Sequence, residues 1–494
     1  MAIFSKQTSR TFDEYLLLQR ETKKDVRIED VSLESRISNN MKIPVPFLSA
    51  AMQCVSGDEM GIALASQGGL AVIPCGTPTE NQVDAIKKIK KYRAGFVVDV
   101  ISVSPYDKIQ KLKEIEEKYG YSTFPVVEGK KLVGLITKKK YHPHKDLNKE
   151  VKERMIPLEK LKVEYEGISL EKANKKMFES GIGVLPIIDK KGYLESVVFW
   201  EDIEKHMRFP NAFVDKDKRL MTAAAISTQD SDIERAQALI DNGIDFIFVD
   251  ASHGYSEYQK NTIQNVKKLI KKGIKDIPVW GGNVVDKDGF NYLVEAGADG
   301  IKIGQGPGAS CITRRVKSSG RGQATAVIQC AEARDDYFKR KGRYIPICAD
   351  GGIETTGQMA IAFALGTDLI MMGKYFGGFK ESPSSVAHKR ALILPEQTPV
   401  YVPVKPYWGE ASAKAKNIGR YGHKTEKTFV IEGEEGYIPF KGNLEDGFPK
   451  DLNCIKGILA SNGCKTIKDF HKNAKVELQS EKSYVEGGTN IIKA

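Results

Sequence analysis

A cysteine within a glycine-rich segment is the residue of this chain best suited to covalent chemistry. Cys311 lies in GQGPGASCITRR, a run of small residues rather than an apolar strand, and Arg314 and Arg315 follow it closely. Neighbouring cations favour the thiolate, which is the nucleophilic form of cysteine. Cys75, Cys330 and Cys348 instead lie in or beside apolar runs, where cysteine is usually buried and inert. The pattern predicts that Cys311 is a nucleophile.

Glycine-rich turns recur at the ends of three apolar runs, in GQGPGAS, ADGGIE and GKYFGG. Closely spaced glycines let backbone N–H groups approach an anion, and Lys374 adds a positive charge. Each turn alone is also what a tight loop requires, but three of them together favour a phosphate-bearing ligand.

Polar residues elsewhere narrow the kind of chemistry. Asp250 ends the apolar run in FVDASHGY, where it either caps the next turn or binds a ribose hydroxyl. No GxGxxG follows the first apolar run, and no Ser, His, Asp arrangement is present. The seven histidines and seven cysteines show neither metal-ligand spacing nor a CxxC pair, so neither zinc nor a disulfide framework is expected.

The elements that position these residues are strands alternating with helices. A helix closes at a glycine, an Asp follows two residues later and a strand begins in IDNGIDFIFVD, VEAGADGIKIG and FALGTDLIMMG. Eight strands predict an α/β fold of the (β/α)8 TIM-barrel type, with an open doubly wound sheet as the alternative. The predicted strands are VPFLSAAM, GLAVIP, LMTAAAIS, FIFVD, IPVWGGN, GIKIG, IPICAD and LIMMG.

A long stretch after the second strand breaks this rhythm. Two copies of a helix, strand, strand pattern occupy it, with Pro125 and Pro186 in matching places. The duplication resembles a pair of cystathionine β-synthase (CBS) modules, and it divides the chain into barrel residues 1–95, tandem CBS residues 96–215 and barrel residues 216–494. Positions that often hold a nucleotide-binding Asp in such modules are Lys140 and Asp202, which leaves open whether a purine nucleotide binds there or the role is structural or regulatory.

The segment from about residue 381 to about residue 435 reads as long and irregular. Such segments are usually functional lids or disordered. Tyr407, Trp408 and Tyr421 give this one aromatic surface for docking, so a mobile flap is favoured.

Composition limits the class of protein. The 494 residues are 41% hydrophobic and 28% charged, as expected for a globular protein with two domains. No run is long and apolar enough to span a membrane, and the opening residues lack a secretory apolar segment, so a cytoplasmic location is expected. The net charge of +11 comes mostly from lysines in solvent-facing helical runs, so nucleic acid is not the expected partner.

Seven fragments, SAAMQ, VDASHG, GGNVV, GPGASCITR, ADGGI, NIGRYG and VEGG, occur in this order along nearly the whole chain. Together they resemble the family of inosine 5′-monophosphate (IMP) dehydrogenases and guanosine monophosphate (GMP) reductases. The resemblance implies NAD-dependent oxidation of IMP to xanthosine monophosphate (XMP), the committed step of guanine nucleotide synthesis.

The resemblance also assigns catalytic roles. Cys311 matches the nucleophile that adds to purine C2, after which hydride leaves to NAD and a covalent thioimidate remains. The flap residues Arg420 and Tyr421 match a pair that activates water to hydrolyse this intermediate. Thr313 matches a residue that takes part in activating the same water. The catalytic loop spans about residues 304–316.

Further positions follow from the resemblance as binding residues. For IMP they are Ser49, Met52, Ser310, Asp350, Gly351, Gly352, Gly373, Lys374, Tyr407, Gly409, Glu410 and Glu432. For NAD they are Asp250, Ser252, Asn283 and Gly304. A monovalent cation, potassium, is expected on Gly306, Gly308 and Cys311 together with Glu486, Gly487 and Gly488 of a neighbouring subunit, which implies a homotetramer.

The chain departs from the family pattern at two places. Ala309 stands where a phosphate-binding serine is usual, with Ser310 shifted next to the nucleophile, so backbone N–H groups and Lys374 are expected to replace that hydroxyl. Ala251 and His253 replace commoner polar and acidic residues beside Asp250.

Three other functions fit parts of the sequence. A GMP reductase shares the barrel and the cysteine loop but deaminates GMP with NADPH and has no use for Arg420 and Tyr421. A nucleotide-sensing CBS regulator with an inactive barrel would not need Cys311 and Thr313. A flavin-dependent barrel oxidoreductase would use similar phosphate turns, and a colourless protein would exclude it.

Overall fold

The structure is a computed structural model that describes residues 5, 7–92, 96–97, 100–119, 122–168, 170–200, 209–216, 219–271, 273, 276–393, 398–415 and 431–488. The chain forms two compact units. The barrel unit comprises Met1–Ile89, Asn211–Asp215 and Leu220–Ala494, and the inserted unit comprises Lys90–Pro210 and Lys216–Arg219.

Eight parallel strands close into a barrel in which each strand pairs with the next and β8 pairs with β1. This confirms the predicted (β/α)8 fold. Apolar residues fill the barrel interior, where Phe248 and Trp280 stack with ring centroids 5.4 Å apart. The strands are β1 Phe47–Ser49, β2 Leu70–Ile73, β3 Ala223–Ile226, β4 Phe246–Val249, β5 Val279–Val284, β6 Gly300–Ile303, β7 Ile347–Asp350 and β8 Leu369–Met372.

A helix follows each barrel strand. In the fourth, the buried residues Ile263, Val266 and Ile270 recur at three- and four-residue spacing and turn one apolar face toward the sheet. The helices are α1 Asp58–Ser66, α2 Thr79–Lys91, α3 Asp232–Asp241, α4 Glu257–Lys271, α5 Lys287–Glu295, α6 Gln323–Lys341, α7 Thr356–Ala364 and α8 Leu444–Ser461.

The repeated aspartate of the sequence has a structural role at the amino-terminal end of the barrel. Each precedes an even-numbered strand, and its carboxylate accepts the backbone N–H at the start of the preceding odd-numbered strand. The pairs are Asp245 with Thr222 at 2.8 Å, Asp299 with Val279 at 2.8 Å and Asp368 with Ile347 at 2.9 Å. These bonds tie neighbouring strands together at the end of the barrel opposite the loops that carry the chemistry.

The segment expected to be irregular contains a sheet. Ala387–Ile393, Thr398–Trp408 and Glu435–Pro439 pair as three antiparallel strands, so the expectation of an irregular segment is wrong for these residues. Three prolines within the central strand hide its strand pattern, because proline is rare inside sheets.

Smaller elements complete the barrel unit. Tyr15–Leu18 pairs with Lys475–Leu478, and Ser35–Arg36 pairs with Lys42–Ile43. The short helices are Phe12–Glu14, Ile28–Asp30, Thr313–Val316, Lys374–Gly377, Ala413–Ala415, Ile467–Asn473 and Glu481–Glu486.

The inserted unit contains the repeated pattern twice. The helix Ile109–Tyr119 precedes the antiparallel pair Thr123–Glu128 and Lys131–Thr137, and the helix Leu170–Ser180 precedes the pair Val184–Ile188 and Leu194–Phe199. Its remaining elements are Phe96–Val97, Lys138–Lys140, Val151–Glu153, Ile156–Pro157, Leu158–Lys160 and Glu164–Tyr165. Across the described residues of both units, no helix combines the length and apolarity needed to cross a bilayer.

Candidate active site

A cavity of about 220 Å³ opens at the carboxyl end of the barrel strands. Most of the residues predicted to bind or react with a nucleotide line it together, as do the two loop glycines predicted to hold a cation. They are Met52, Asp250, Ser252, Asn283, Gly304, Gly306, Gly308, Ser310, Cys311, Thr313, Asp350, Gly351, Gly352, Gly373, Lys374, Tyr407, Gly409, Glu410 and Glu432.

The Cys311 thiol is half-buried on the loop after β6. Its Sγ lies 3.1 Å from Thr313 Oγ1, which donates to Glu432 Oε2 at 3.0 Å. Lys317 Nζ lies 2.5 Å from the other Glu432 oxygen. The sulfur is therefore linked through one hydroxyl to a buried carboxylate.

The Arg314 side chain, which is exposed, interacts electrostatically with Cys311. The Arg314 guanidinium donates to the backbone carbonyls of Gln305 and Arg321, and Arg315 is exposed. The side chain in hydrogen-bonding contact with the Cys311 sulfur is Thr313.

Backbone hydrogen bonds join the cysteine loop to residues more than 90 positions later in the chain. Ile312 N donates to Glu432 O at 2.9 Å, and Glu434 N donates to Ser310 O at 2.8 Å. Gly409 N in turn donates to Glu434 O at 3.2 Å. Gly409 and Glu432, which lie before and after residues 416–430 in the sequence, therefore line the cavity together with Cys311.

The floor of the cavity carries a buried cation between two carboxylates. Lys302 Nζ lies 2.6 Å from Asp250 Oδ1 and 3.4 Å from Asp350 Oδ2, and Asn283 Nδ2 donates to the same Asp350 oxygen at 2.9 Å. Burial alone lowers the pKa of Lys302, but the charges of Asp250 and Asp350 outweigh it and raise the pKa above its ordinary value. Lys302 therefore remains an ammonium that fixes both carboxylates.

Lys302 is the functional residue that sequence reasoning missed. Its signal is a lysine within the short apolar strand GIKI, where a charged side chain is unusual. The sequence does not reveal the role of Lys302, because the two carboxylates that pair with it lie at the ends of β4 and β7 and are distant in sequence.

The expected phosphate turns lie on one side of the cavity. Gly351 and Gly352 adopt positive φ of 84° and 72°, a conformation that other residues resist. Lys374 Nζ contacts Glu354 Oε2 at 2.8 Å, so a phosphate there would have to share or displace that carboxylate. Ala309 also lines the cavity.

Tyr407, Met52 and Glu410 also line the cavity, and the first two lie beside Gly373. The Tyr407 hydroxyl lies 3.7 Å from Met52 Sδ, and burial raises the pKa of this phenol, which keeps it protonated. Glu410 Oε1 accepts from the backbone N–H of Gln53 at 2.6 Å. These contacts hold an apolar surface and a carboxylate side by side.

Ser49 and the residues predicted for a neighbouring subunit's cation site are absent from this lining. Ser49 is completely buried, and its hydroxyl pairs with Ser56 Oγ at 2.6 Å. Glu486, Gly487 and Gly488 are exposed at the end of the helix Glu481–Glu486. Arg420 and Tyr421 lie outside the described residues.

The cysteines expected to be inert are buried. Cys75, Cys330 and Cys348 are each less than 10% exposed, and burial raises the pKa of the Cys330 and Cys348 thiols. Cys311 therefore differs from them by reaching the cavity.

The closed barrel, with its cysteine-bearing cavity at the carboxyl ends of the strands, places the protein among the TIM-barrel proteins with a rim site. The chain belongs to the IMP dehydrogenase/GMP reductase family, because residues 9–490 match the family described as "IMP dehydrogenase / GMP reductase domain".

Known relatives agree with this membership. The inosine-5′-monophosphate dehydrogenase of Tritrichomonas foetus is 37% identical, over 100% of this chain and 98% of the relative. That of Schizosaccharomyces pombe is 35% identical, over 97% and 91%. Among solved structures, a GMP reductase from Trypanosoma brucei in complex with guanosine 5′-monophosphate has a TM-score of 0.88 and 26% identity, covering 99% of both chains.

Proposed function

We propose that this protein oxidises IMP to XMP with NAD through a covalent bond between Cys311 and the purine. The observation that carries the proposal is the half-buried Cys311 sulfur, which lies beside Thr313 in a cavity that also contains Asp250 and Asp350. Relatives of 31–37% identity that are named inosine-5′-monophosphate dehydrogenase support the choice of reaction.

The proposed first step forms a bond between Cys311 Sγ and purine C2. The hydrogen on C2 then leaves with its electron pair, so the purine is oxidised and a thioimidate of XMP remains on the sulfur. NAD, when bound, supplies the hydride acceptor. Thr313 and Glu432 offer a route for the thiol proton, since they form a continuous hydrogen-bonded chain from the sulfur.

Two carboxylates line the cavity and support the proposed binding of a nucleotide and a dinucleotide. Asp350 is proposed to bind the IMP ribose and Asp250 the ribose at the nicotinamide end of NAD, with Ser252, Asn283 and Gly304 nearby. Within the described residues, Asn283 Oδ1 is a buried oxygen without a hydrogen-bond partner, which suits it to accept from a ligand hydroxyl or amide.

Hydrolysis completes the proposed cycle. Water adds to C2 and the carbon–sulfur bond breaks, which releases XMP and restores Cys311. Arg420 and Tyr421 are proposed to activate this water, and Thr313 with Glu432 can receive its proton. The phosphate is proposed to lie against Gly352, Gly373 and Lys374.

Five features beyond the reaction are proposed from the family resemblance. The backbone carbonyls of the cysteine loop hold potassium together with residues 486–488 of a neighbouring subunit, within a homotetramer. The inserted unit, Lys90–Pro210 with Lys216–Arg219, is proposed to be the CBS pair for which the sequence predicts residues 96–215. The protein works in the cytoplasm. A purine nucleotide is the proposed ligand of the CBS pair.

GMP reductase activity is the second candidate. The structural similarity to the Trypanosoma brucei enzyme, which extends over 99% of both chains, favours it. It would use the same cysteine to displace ammonia from GMP with NADPH as the reductant.

One assay separates the two candidates. Purified protein with IMP and NAD is followed at the absorbance of NADH, and in parallel with GMP and NADPH for loss of NADPH. NADH formation from IMP and NAD is expected, and Cys311→Ala should abolish it while IMP binding persists. If the protein consumes NADPH with GMP but forms no NADH from IMP, it is a reductase instead.

A further inference from the structure

The loop that carries Cys311 has a narrow neck closed by one side chain. The loop leaves the barrel at Gln305 and rejoins α6 after Arg321. The Arg314 guanidinium donates to the backbone carbonyls of both residues, through Nε to Gln305 at 3.4 Å and through a terminal nitrogen to Arg321. One residue inside the loop therefore connects its two ends.

Two glycines make room for this side chain. A Cβ built on Gly306 would lie 2.5 Å from Arg314 Cγ, and one built on Gly320 would lie 2.9 Å from the same atom. Both distances are too short for a real contact. The stem of Arg314 thus passes between two glycines that face each other across the neck.

The amino-terminal residues support the neck from outside. Gln7 Oε1 accepts from the Arg321 guanidinium at 3.0 Å and from Gln329 Nε2 at 2.6 Å. Arg10 N donates to Thr325 Oγ1 at 2.7 Å, on the first turn of α6. Residues 7–10, here called the amino-terminal strap, therefore fix the side of the neck that contains Arg321, whose backbone carbonyl accepts the second hydrogen bond from Arg314.

We infer that Arg314 is a positioning residue that clasps the neck of the cysteine loop, with the amino-terminal strap as its outer support. The clasp sets the place of the Cys311 sulfur relative to Thr313 and the cavity. The inference rests on the proposed role of Cys311 as the nucleophile, but the rate at which that thiol is alkylated tests the clasp without turnover.

The test compares Arg314→Met and Arg314→Lys with the wild type. Arg314→Lys keeps the charge but cannot reach two carbonyls with a planar fork. Cys311 alkylation by iodoacetamide is measured by peptide mass spectrometry, with the exposed Cys454 as internal reference. Arg340→Met, at an exposed arginine near the end of α6, is the matched control.

Both Arg314 variants should alkylate Cys311 several-fold faster with Cys454 unchanged. Their kcat should fall about 10- to 100-fold, because small misplacements of a nucleophile are costly, while KM for IMP stays near the wild-type value. Wild-type alkylation and kcat in Arg314→Lys would overturn the inference, since charge rather than the clasp would then be sufficient.

A second variant acts from the strap and leaves Arg314 in place. A Cβ on Gly322 would lie within 2.3–2.6 Å of the Arg10 backbone, so Gly322→Ala should expel the strap. Gly322→Ala should raise the Cys311 alkylation rate, as Arg314→Met should. Gly322→Ala therefore still tests the inference if Arg314→Met fails to fold. If Gly322→Ala leaves this rate unchanged, the strap does not support the neck; if the wild type lacks NADH formation but the rates change as expected, the proposed function alone fails.

Discussion

Replacing Lys302 with methionine should strongly destabilise the barrel unit, because it leaves two carboxylates without their buried cation. At an effective dielectric constant of about 20, attraction to Asp250 at 2.6 Å is worth about 6 kcal/mol and to Asp350 at 3.4 Å about 5 kcal/mol. Desolvation of the ammonium offsets much of this. Removing one partner of such a buried pair costs about 3–5 kcal/mol in the free energy of unfolding.

Urea unfolding followed by the fluorescence of the buried Trp280 measures this cost. The matched background is Asp250→Asn with Asp350→Asn, in which the carboxylates are already neutral. There Lys302→Met should cost little or even stabilise, because an unpaired buried ammonium is removed. A loss below about 1 kcal/mol in the wild-type background, or an equal loss in both, would refute the electrostatic reasoning.

Three further changes test other parts of the site. Thr313→Val should keep the shape beside Cys311 but interrupt the chain to Glu432, lowering kcat by about 10²-fold or more in steady-state assays; a kcat within twofold of wild type would remove Thr313 from the proton route. Lys374→Met should raise the KM for IMP by about tenfold with a smaller effect on kcat, as expected for a lost phosphate contact, and an unchanged KM would place the phosphate elsewhere. Lys405 is fully buried and donates to three backbone carbonyls, so Lys405→Met should destabilise the fold by about 3 kcal/mol or more in thermal or urea unfolding, whereas wild-type stability would show that water replaces these bonds.

The barrel and most of its rim could be predicted because their signals are local. Short apolar runs, the glycine before each aspartate and the glycine-rich turns each depend on neighbouring residues, and all eight strands lie where the pattern placed them. The clustering of Cys311, Asp250 and Asp350 then follows from the parallel barrel, which gathers the carboxyl ends of its strands at one rim.

The rest depends on contacts between distant residues. The role of Lys302 follows from Asp250 and Asp350 on other strands, and that of Arg314 from glycines that leave room for its stem. A cation near a thiol in the sequence predicts an interaction of charges, and only the three-dimensional arrangement shows that this arginine also donates to two backbone carbonyls. The strand Thr398–Trp408 could not be predicted because its prolines argue against a strand. It nevertheless pairs with a neighbouring strand on each side.

The central claim is that the Cys311 sulfur bonds to the purine during turnover. The most direct measurement is mass spectrometry of protein quenched in acid while it turns over IMP and NAD, followed by peptide mapping. A nucleotide adduct is expected on the peptide that contains Cys311, and it should be absent when NAD is omitted. A Cys311 peptide that is always unmodified while NADH accumulates would contradict it.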